Sequence, residues 1–206
     1  MPLPVAALIL AAGSGTRMGR LKPLLPLGDK PVLCHSIDVL SEAGVSAIVV
    51  VCGADPGQYQ AAVGTSGVRL VPNRMPASEM ADSLRLGLEQ LDTAAYSGVL
   101  VCLADHPLVT AGTCRTMLRL HQECPGRIII PAFQDRRGHP SLFPADVIGE
   151  IFSKTSLRDI VRENPSRVLV VDVPDEGVVL DMDTEADYQK AIRLHEARIR
   201  GQRKTS

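Results

Sequence analysis

Aromatic residues are scarce in this chain, which has three Phe, three Tyr and no Trp among 206 residues. Its formal net charge is -1, so it has no overall basic field. Proteins that bind nucleic acid usually neutralise phosphates with a basic surface, and those that bind single strands stack bases on aromatic rings. Because both features are weak here, we do not expect a nucleic acid as partner.

Paired cysteines and long apolar runs are missing as well. The five cysteines contain no CxxC pair, and an odd number cannot form a complete disulfide framework. No stretch reaches the roughly 18 apolar residues that a membrane span requires. The apolar run 5–12 has no basic residue before it and passes straight into glycines, unlike a signal peptide. We therefore expect a reduced, cytoplasmic protein with no membrane anchor.

The sequence does contain an alternation of strand-length apolar runs with segments of helical period. The runs lack polar alternation, as in strands that are buried on both faces of a sheet. This pattern predicts an α/β fold, a three-layer α/β/α Rossmann-like arrangement around a mostly parallel sheet. The predicted strands are 5–10, 47–51, 68–71, 98–103, 128–131 and 168–171, and the predicted helices are 31–43, 56–63, 79–91, 110–122, 144–152, 156–163 and 184–199.

The length suits one domain, and no repeat or low-complexity linker divides the chain. We predict a single domain over 1–194, followed by a polar, basic tail over 195–206 that is frayed and solvated. A polar turn over 134–138 precedes the apolar pair Leu142 and Phe143 and indicates a hairpin-like excursion.

A glycine-rich turn follows the first predicted strand, with Gly13, Gly15 and Gly19. Ligands of such sheets bind at the C-terminal ends of the strands, and glycines let backbone amides approach an anion closely. Arg17 and Lys22 add two cations suited to a triphosphate. The turn therefore predicts a phosphate-binding site, although a tight strand-to-helix turn without a ligand is the structural alternative.

A dinucleotide-binding turn is the other ligand-binding interpretation of these glycines. Their spacing is GxGxxxG rather than GxGxxG, and Pro23 and Pro26 would interrupt a helix that begins at the turn. Asp55, the first acid after the second strand, also lies too far from the glycines. A dinucleotide is thus disfavoured, and the lack of GKS or GKT excludes a Walker-type loop.

Acidic residues at two strand ends could hold a metal ion. Asp105 follows the strand over 98–103, where a turn or helix-cap role is the structural alternative. Asp181 and Asp183 alternate before the last helix and so lie on the same side of an extended segment. Asp183 or Thr184 could equally cap that helix.

Several segments, in order, resemble the molybdenum cofactor cytidylyltransferases, a subfamily of the nucleotide-sugar and related nucleotidyltransferases. Residues 10–26 are similar to LAAGxSxRMGxxKxLLP, and 73–88 to NPxxxxGMxxSLxxGL. Residues 103–109 are similar to LGDQPLV, 181–187 to DxDTPxD, and 138–140 to GHP. Gly15, Glu79, Ala104, His106 and Glu185 depart from those patterns. The resemblance extends from Val5 to about Ile192.

The resemblance also implies roles for individual residues. Arg17, Lys22 and Asp105 would be catalytic, with Asp105 and Asp181 binding Mg²⁺ and Asp183 as the alternative second ligand. His139 would contact the second substrate, donating to phosphate in its charged form. Ala12, where related guanylyltransferases have Gly, favours CTP, whereas Glu79 leaves the choice of base open. The nucleotide-binding residues would be Leu10, Ala11, Ala12, Gly13, Ser14, Gly15, Arg17, Lys22 and Ser83.

The implied reaction is attack by a substrate phosphate oxygen on the α-phosphorus of a nucleoside triphosphate, with pyrophosphate leaving. The favoured function is transfer of CMP from CTP to molybdopterin, with Mg²⁺ as cofactor. Transfer of GMP to the same cofactor and nucleotidyl transfer to a small phosphorylated sugar or alcohol are the alternatives. A non-catalytic module that delivers cofactor to a molybdoenzyme partner is an alternative of another class. Simple binding would not require two metal carboxylates, so the presence of Asp105 and Asp181 together with Arg17 and Lys22 argues for catalysis.

Overall fold

The computed structural model describes residues 3–13, 20–64, 67–75 and 78–205. In this part of the chain ten strands and seven α-helices follow one another. The strands are β1 (Val5–Leu10), β2 (Pro26–Leu27), β3 (Lys30–Pro31), β4 (Ala47–Cys52), β5 (Arg69–Pro72), β6 (Gly98–Leu103), β7 (Ile128–Phe133), β8 (Arg136–Arg137), β9 (Ser141–Pro144) and β10 (Val168–Asp172). The helices are α1 (Val32–Glu42), α2 (Pro56–Val63), α3 (Met80–Leu88), α4 (Ala111–Glu123), α5 (Ala145–Ile148), α6 (Leu157–Glu163) and α7 (Glu185–Thr205).

The main sheet has the strand order β10-β7-β9-β6-β1-β4-β5, with β8 paired to β7. β1 is paired in parallel with β4 on one side and β6 on the other. β9 is antiparallel to both β6 and β7. The prediction of a mostly parallel sheet is confirmed. The C-terminal ends of β1, β4, β5 and β6 consequently meet at one edge, where a ligand can bind.

Helices cover both faces of this sheet because alternate strand residues point to opposite sides. On one face Ile9 of β1 belongs to the same buried cluster as Leu40 of α1 and Met117 of α4. On the other face Leu8 belongs to the cluster that includes Leu84 of α3. α3 packs so closely that a Cβ atom on Gly87 would lie 2.3 Å from Leu8 Cδ1. The three-layer α/β/α prediction is therefore confirmed.

Two predicted features differ in the structure. The polar turn does begin an excursion, but β9 returns between β6 and β7, so Leu142 and Phe143 are core residues. The segment 144–152 is a four-residue α-helix followed by a 3₁₀ helix over Gly149–Phe152. Periodicity identifies apolar strands but not their place in the sheet, since that depends on pairing between distant residues.

The prediction of a frayed tail from residue 195 is wrong for residues 195–201, whose side chains the structure describes. α7 continues to Thr205, and its His195 ring lies 4.8 Å from the ring of His35, centroid to centroid. Arg198 donates to the carboxylate of Asp175 at 3.0 Å. These tertiary contacts hold a segment that looks only polar and basic in the sequence. None of the described helices has the length and apolarity needed to span a membrane.

Candidate active site

A cleft of about 680 Å³ opens at the C-terminal ends of β1, β4, β5 and β6. It is lined by residues 10–13, where the glycine-rich turn begins, by polar side chains after β5 and β6, and by a Lys–Asp pair. The lining residues used below are Leu10, Ala11, Ala12, Gly13, Lys22, Tyr59, Asn73, Glu79, Ser83, Asp105 and Asp183. Ser14, Gly15 and Arg17, which we predicted from the sequence, lie outside the described residues.

The start of the glycine-rich turn is held by its neighbours on both sides. Ala11 N–H donates to Val51 O at 2.8 Å, and Ala104 N–H donates to Leu10 O at 3.1 Å. The hydroxyl of Tyr59, which is 1% exposed, donates to Ala11 O at 3.0 Å. Burial raises the pKa of this phenol, so it keeps the proton that it donates. Because a trans peptide is planar, the next amide, Ala12 N–H, points opposite to the Ala11 carbonyl.

Asp105 lies in the turn after β6 and faces the cleft. Its Oδ1 atom accepts a hydrogen bond from His106 Nδ1 at 2.9 Å. Burial by itself would raise the pKa of Asp105. The hydrogen bond and charge of His106 and the charge of Lys22 together lower this pKa by more than burial raises it, so the net shift is downward. The carboxylate is thus ionised at neutral pH.

Lys22 and Asp183 meet in the cleft although 161 residues separate them, with Lys22 Nζ donating to Asp183 Oδ1 at 2.8 Å. Asp181 is exposed and is not among the residues that line the cleft. α7 is capped by Thr184, whose hydroxyl accepts from Asp187 N–H while the Asp187 carboxylate accepts from Thr184 N–H. The capping role that the sequence left open between Asp183 and Thr184 therefore belongs to Thr184.

The loop and helix after β5 form another wall of the cleft. Asn73 Nδ2 donates to Ser83 Oγ and to Ser78 Oγ, both at 2.9 Å, which fixes Ser83 at the cleft surface. Glu79 also lines the cleft, but its side chain accepts from the backbone of Asp82, and its own amide donates to the Asp82 carboxylate. The acid that departs from the family pattern is thus part of a capping box at the start of α3.

His139 does not line the cleft in the described part of the chain. Its ring contacts that of His106, with the centroids 5.1 Å apart. Burial and the neighbouring His106 lower the pKa of His139 to about 4, although Asp105 acts in the opposite direction. The ring is neutral near pH 7, so the charged phosphate contact that we considered from the sequence is not available there.

Sequence reasoning missed Tyr59, Asn73 and His106 as contributors to this site. Tyr59 is one apolar-facing residue of a short helix, and nothing local distinguishes it from an ordinary core position. Asn73 lies within a segment that resembles the family pattern, but its bond to Ser83 depends on the packing of α3. His106 was visible only as a departure from the usual Gln. The Tyr59 and Asn73 contacts join residues of separate elements, and the His106 ring that bonds its neighbour Asp105 packs against the distant His139, so local pattern does not reveal these roles.

Comparison with known proteins places the chain in a family. A family model described as the MobA-like NTP transferase domain matches residues 7–168, most of the chain. The chain belongs to this family. The resemblance that the motifs indicate to molybdenum cofactor cytidylyltransferases is confirmed at this level, and the protein is a member of a nucleotidyltransferase family.

Two relatives of this MobA-like chain carry different names and are matched over different lengths. It is 31% identical over 194 residues to nicotine blue oxidoreductase of Paenarthrobacter nicotinovorans, covering 87% of this chain and 92% of that protein. It is 42% identical over 118 residues to the bifunctional protein GlmU of Rhizorhabdus wittichii, but this match covers 56% of this chain and only 25% of GlmU.

Solved structures agree with the fold. The crystal structure of Rv0371c from Mycobacterium tuberculosis H37Rv superimposes with a TM-score of 0.79 at 28% identity, covering 94% of this chain and 99% of that one. The same protein has also been solved in complex with manganese, with a TM-score of 0.75 and 27% identity. Similarity to these proteins thus extends over nearly the whole chain.

Proposed function

We propose that this MobA-like chain transfers CMP from CTP to molybdopterin, releases pyrophosphate, and uses Mg²⁺ as its divalent cation. The observation that carries the proposal is the combination, in one cleft, of the start of the glycine-rich turn (residues 10–13) with Lys22 and the acids Asp105 and Asp183. A triphosphate needs close backbone donors and cations, and the metal needs hard oxygen ligands. The family membership supports nucleotidyl transfer as the reaction class.

The carboxylates present in the cleft fit a magnesium ion. Mg²⁺ is usually bound by one or two carboxylates, with phosphate oxygens and water completing its shell. Within the described ranges, no three acidic, His or Cys residues group as a metal site, so a cation held mainly by a protein cage is not indicated. We assign Asp105 as the first ligand, and Asp183 as the second in preference to the exposed Asp181. The bound cation would neutralise phosphate charge as pyrophosphate departs.

The residues of the chain would act mainly by positioning and by charge. A phosphate oxygen of the acceptor attacks the α-phosphorus of the nucleotide in line with the leaving pyrophosphate. Lys22, which donates to Asp183 here, can donate to phosphate oxygens when a triphosphate occupies the cleft. The backbone amides of Ala12 and Gly13 supply neutral donors, and Arg17 is proposed as the second cation. No covalent intermediate is required.

The base and acceptor rest on the resemblance more than on geometry. Ala12 stands where related guanylyltransferases have Gly, which supports CTP. The similarity of residues 138–140 to the GHP motif of the subfamily supports molybdopterin as acceptor. Transfer of GMP to the same cofactor, or of a nucleotide to a small phosphorylated sugar or alcohol, uses the same cleft chemistry. A molybdoenzyme is the proposed receiver of the product.

A pyrophosphate-release assay tests this function. The purified chain is given CTP, GTP, ATP or UTP with Mg²⁺, with and without molybdopterin. We expect release only when both CTP and molybdopterin are present. Release with GTP instead would change the base, and release with a sugar phosphate but not with molybdopterin would change the acceptor. Nucleotide binding without turnover for any acceptor would favour the delivery module.

An oxidoreductase is the second candidate, because nicotine blue oxidoreductase is similar over 87% of the chain. Such an activity needs an electron donor, for which a reduced nicotinamide dinucleotide is the chemical class to test. The assay follows NADH or NADPH absorbance with a reducible dye. Dye-dependent oxidation together with no pyrophosphate release would replace the proposed function. The glycine spacing and the cleft carboxylates favour the triphosphate.

Replacing Tyr59 by Phe tests the role of the glycine-rich turn. Removing the hydroxyl leaves Ala11 O without its side-chain donor, so the Ala11–Ala12 peptide is less firmly oriented. We expect the KM for the nucleotide to rise about 3- to 10-fold, which corresponds to one net hydrogen bond, with little change in kcat. Tyr96→Phe, outside the cleft lining, serves as the matched control. An unchanged KM in Tyr59→Phe would contradict this role.

A further inference from the structure

We infer that His106 is a positioning residue that holds the Asp105 carboxylate for the cation, and that His139 acts by supporting the His106 ring. The inference rests on the proposed function, because it concerns the cation site of that cleft. His139 then packs behind the site and supports His106 instead of contacting the substrate.

The side chains of Asp105 and His106, which are consecutive in the sequence, are in contact. His106 Nδ1 lies 2.9 Å from Asp105 Oδ1, and the His106 side chain is only 10% exposed. A carboxylate next to a cleft can otherwise rotate between orientations, at a cost each time it must be ordered. With Oδ1 engaged by the ring, rotation is restricted, and the other oxygen remains for a cation. Hydrogen-bonded partners of ligating carboxylates commonly orient them in this way.

The His106 ring is itself confined by a neighbouring ring. The His139 ring packs against it at an interplanar angle of 66°, with 5.1 Å between centroids. Among the described residues, His139 Nδ1 has no hydrogen-bond partner, so packing rather than side-chain bonding holds this ring. The contact is edge-to-face, an arrangement that favours one ring orientation.

His139 is anchored through the backbone of its own segment. Its backbone N–H donates to Val178 O at 2.8 Å, and Gly138 N–H donates to Pro131 O at 2.8 Å. A Cβ atom on Gly138 would lie 2.1 Å from Val178 O, so only glycine permits this approach. The same segment returns to the site, because Met182 N–H donates to Asp105 O at 3.0 Å. The turn before β9 and the segment after Val178 thus hold both ends of the Asp105–His106–His139 row.

This arrangement also explains why His can stand where the family usually has Gln. The relevant chemical property is one N–H donor directed at Asp105, and a Gln amide carries such a donor as well. A Leu of similar size carries none. The two substitutions therefore separate the loss of the donor from the loss of volume.

The experiment measures Mn²⁺ binding to the full chain by electron paramagnetic resonance of the free ion, without nucleotide. We expect His106→Leu to weaken Mn²⁺ binding about 10- to 100-fold, as seen for partners of metal ligands elsewhere. His106→Gln should stay within about threefold of the wild type, since it restores the donor. His139→Ala should give an intermediate loss because it removes only the support of the ring.

A matched control separates positioning from folding. His121 is a buried histidine of α4 that bonds Ser97 and does not line the cleft. His121→Leu should lower the urea midpoint yet leave Mn²⁺ affinity unchanged. If His106→Leu does not fold, His106→Ala and His139→Ala supply the same comparison.

The outcomes distinguish this inference from the proposed function. If the wild type binds Mn²⁺ and folded His106→Leu binds it equally well, the positioning role is overturned while the metal site stands. If His106→Gln loses as much affinity as His106→Leu, the shared donor is not the cause, and the inference is again overturned. If the wild type binds Mn²⁺ only when CTP is added, the same variants are compared with CTP present. If it binds none alone and none beyond that held by CTP itself, the metal assignment and the inference fall together.

Discussion

Asp105→Asn is expected to lower kcat/KM for pyrophosphate release by about 10³-fold, the size of effect found when one stabilising group of a reaction centre is removed. Asparagine preserves the shape of the side chain but removes the charge that a divalent cation requires. The measurement is the steady-state rate with CTP, molybdopterin and Mg²⁺, with folding checked by circular dichroism. Asp172→Asn, at an exposed position on β10, is the charge-matched control.

The same assay separates the two candidates for the second ligand. Asp183→Asn should cause a loss comparable to that of Asp105→Asn, because Asp183 lines the cleft beside Lys22. Asp181→Asn should have a small effect, since the side chain is exposed outside the lining. The opposite ranking would return the role to Asp181, which the family pattern favours. Full activity in Asp105→Asn would remove the metal assignment.

Asp175→Ala is expected to reduce the free energy of unfolding by about 3–5 kcal/mol, the range for removing one partner from a buried charged network. Asp175 is 3% exposed, and its carboxylate joins the start of α4, the segment before Leu180 and the C-terminal helix α7. Its donors are Thr110 N–H (2.8 Å), Thr110 Oγ1 (3.0 Å), Thr113 Oγ1 (2.7 Å), Gly177 N–H (3.0 Å) and Arg198 (3.0 Å).

Urea unfolding followed by circular dichroism measures this loss. Glu123→Ala is a suitable control because Glu123 belongs to an exposed pair with Arg119, and surface pairs contribute little. We expect the control to stay within about 0.5 kcal/mol of the wild type. Arg198→Ala should lie between the two, since it removes one donor and leaves the others. Equal stability of Asp175→Ala and the control would show that the network is not a stabilising centre.

Local pattern predicted the elements well where burial alone decides them. Strand β1 (Val5–Leu10) and strand β6 (Gly98–Leu103) have their predicted bounds, because continuous apolar runs without polar alternation suit a strand covered on both faces. Helix α2 also has its predicted bounds, with Asp55 as cap and Pro56 at its first position. These signals are carried by neighbouring residues, so no tertiary information is needed to detect them.

Other features depended on contacts that no local pattern contains. The insertion of β9 between β6 and β7 follows from pairing with strands distant in sequence, and the order of the last helix follows from contacts with His35 and Asp175. The site shows the same limit. Tyr59 belongs to it only because α2 brings the phenol to the carbonyl of Ala11.

The sequence by itself determined the α/β class, the cleft at the strand ends, and the residue types that make a nucleotidyl-transfer site plausible. Spacing is sufficient for these, because side-chain direction in strands and the chemistry of glycines, cations and carboxylates are local properties. The tertiary structure alone decided which acid faces Lys22. Asp181 and Asp183 share one side of an extended segment, but Met182 is fully buried between them and only Asp183 reaches the cleft. That choice depends on how a segment 161 residues from Lys22 packs against it.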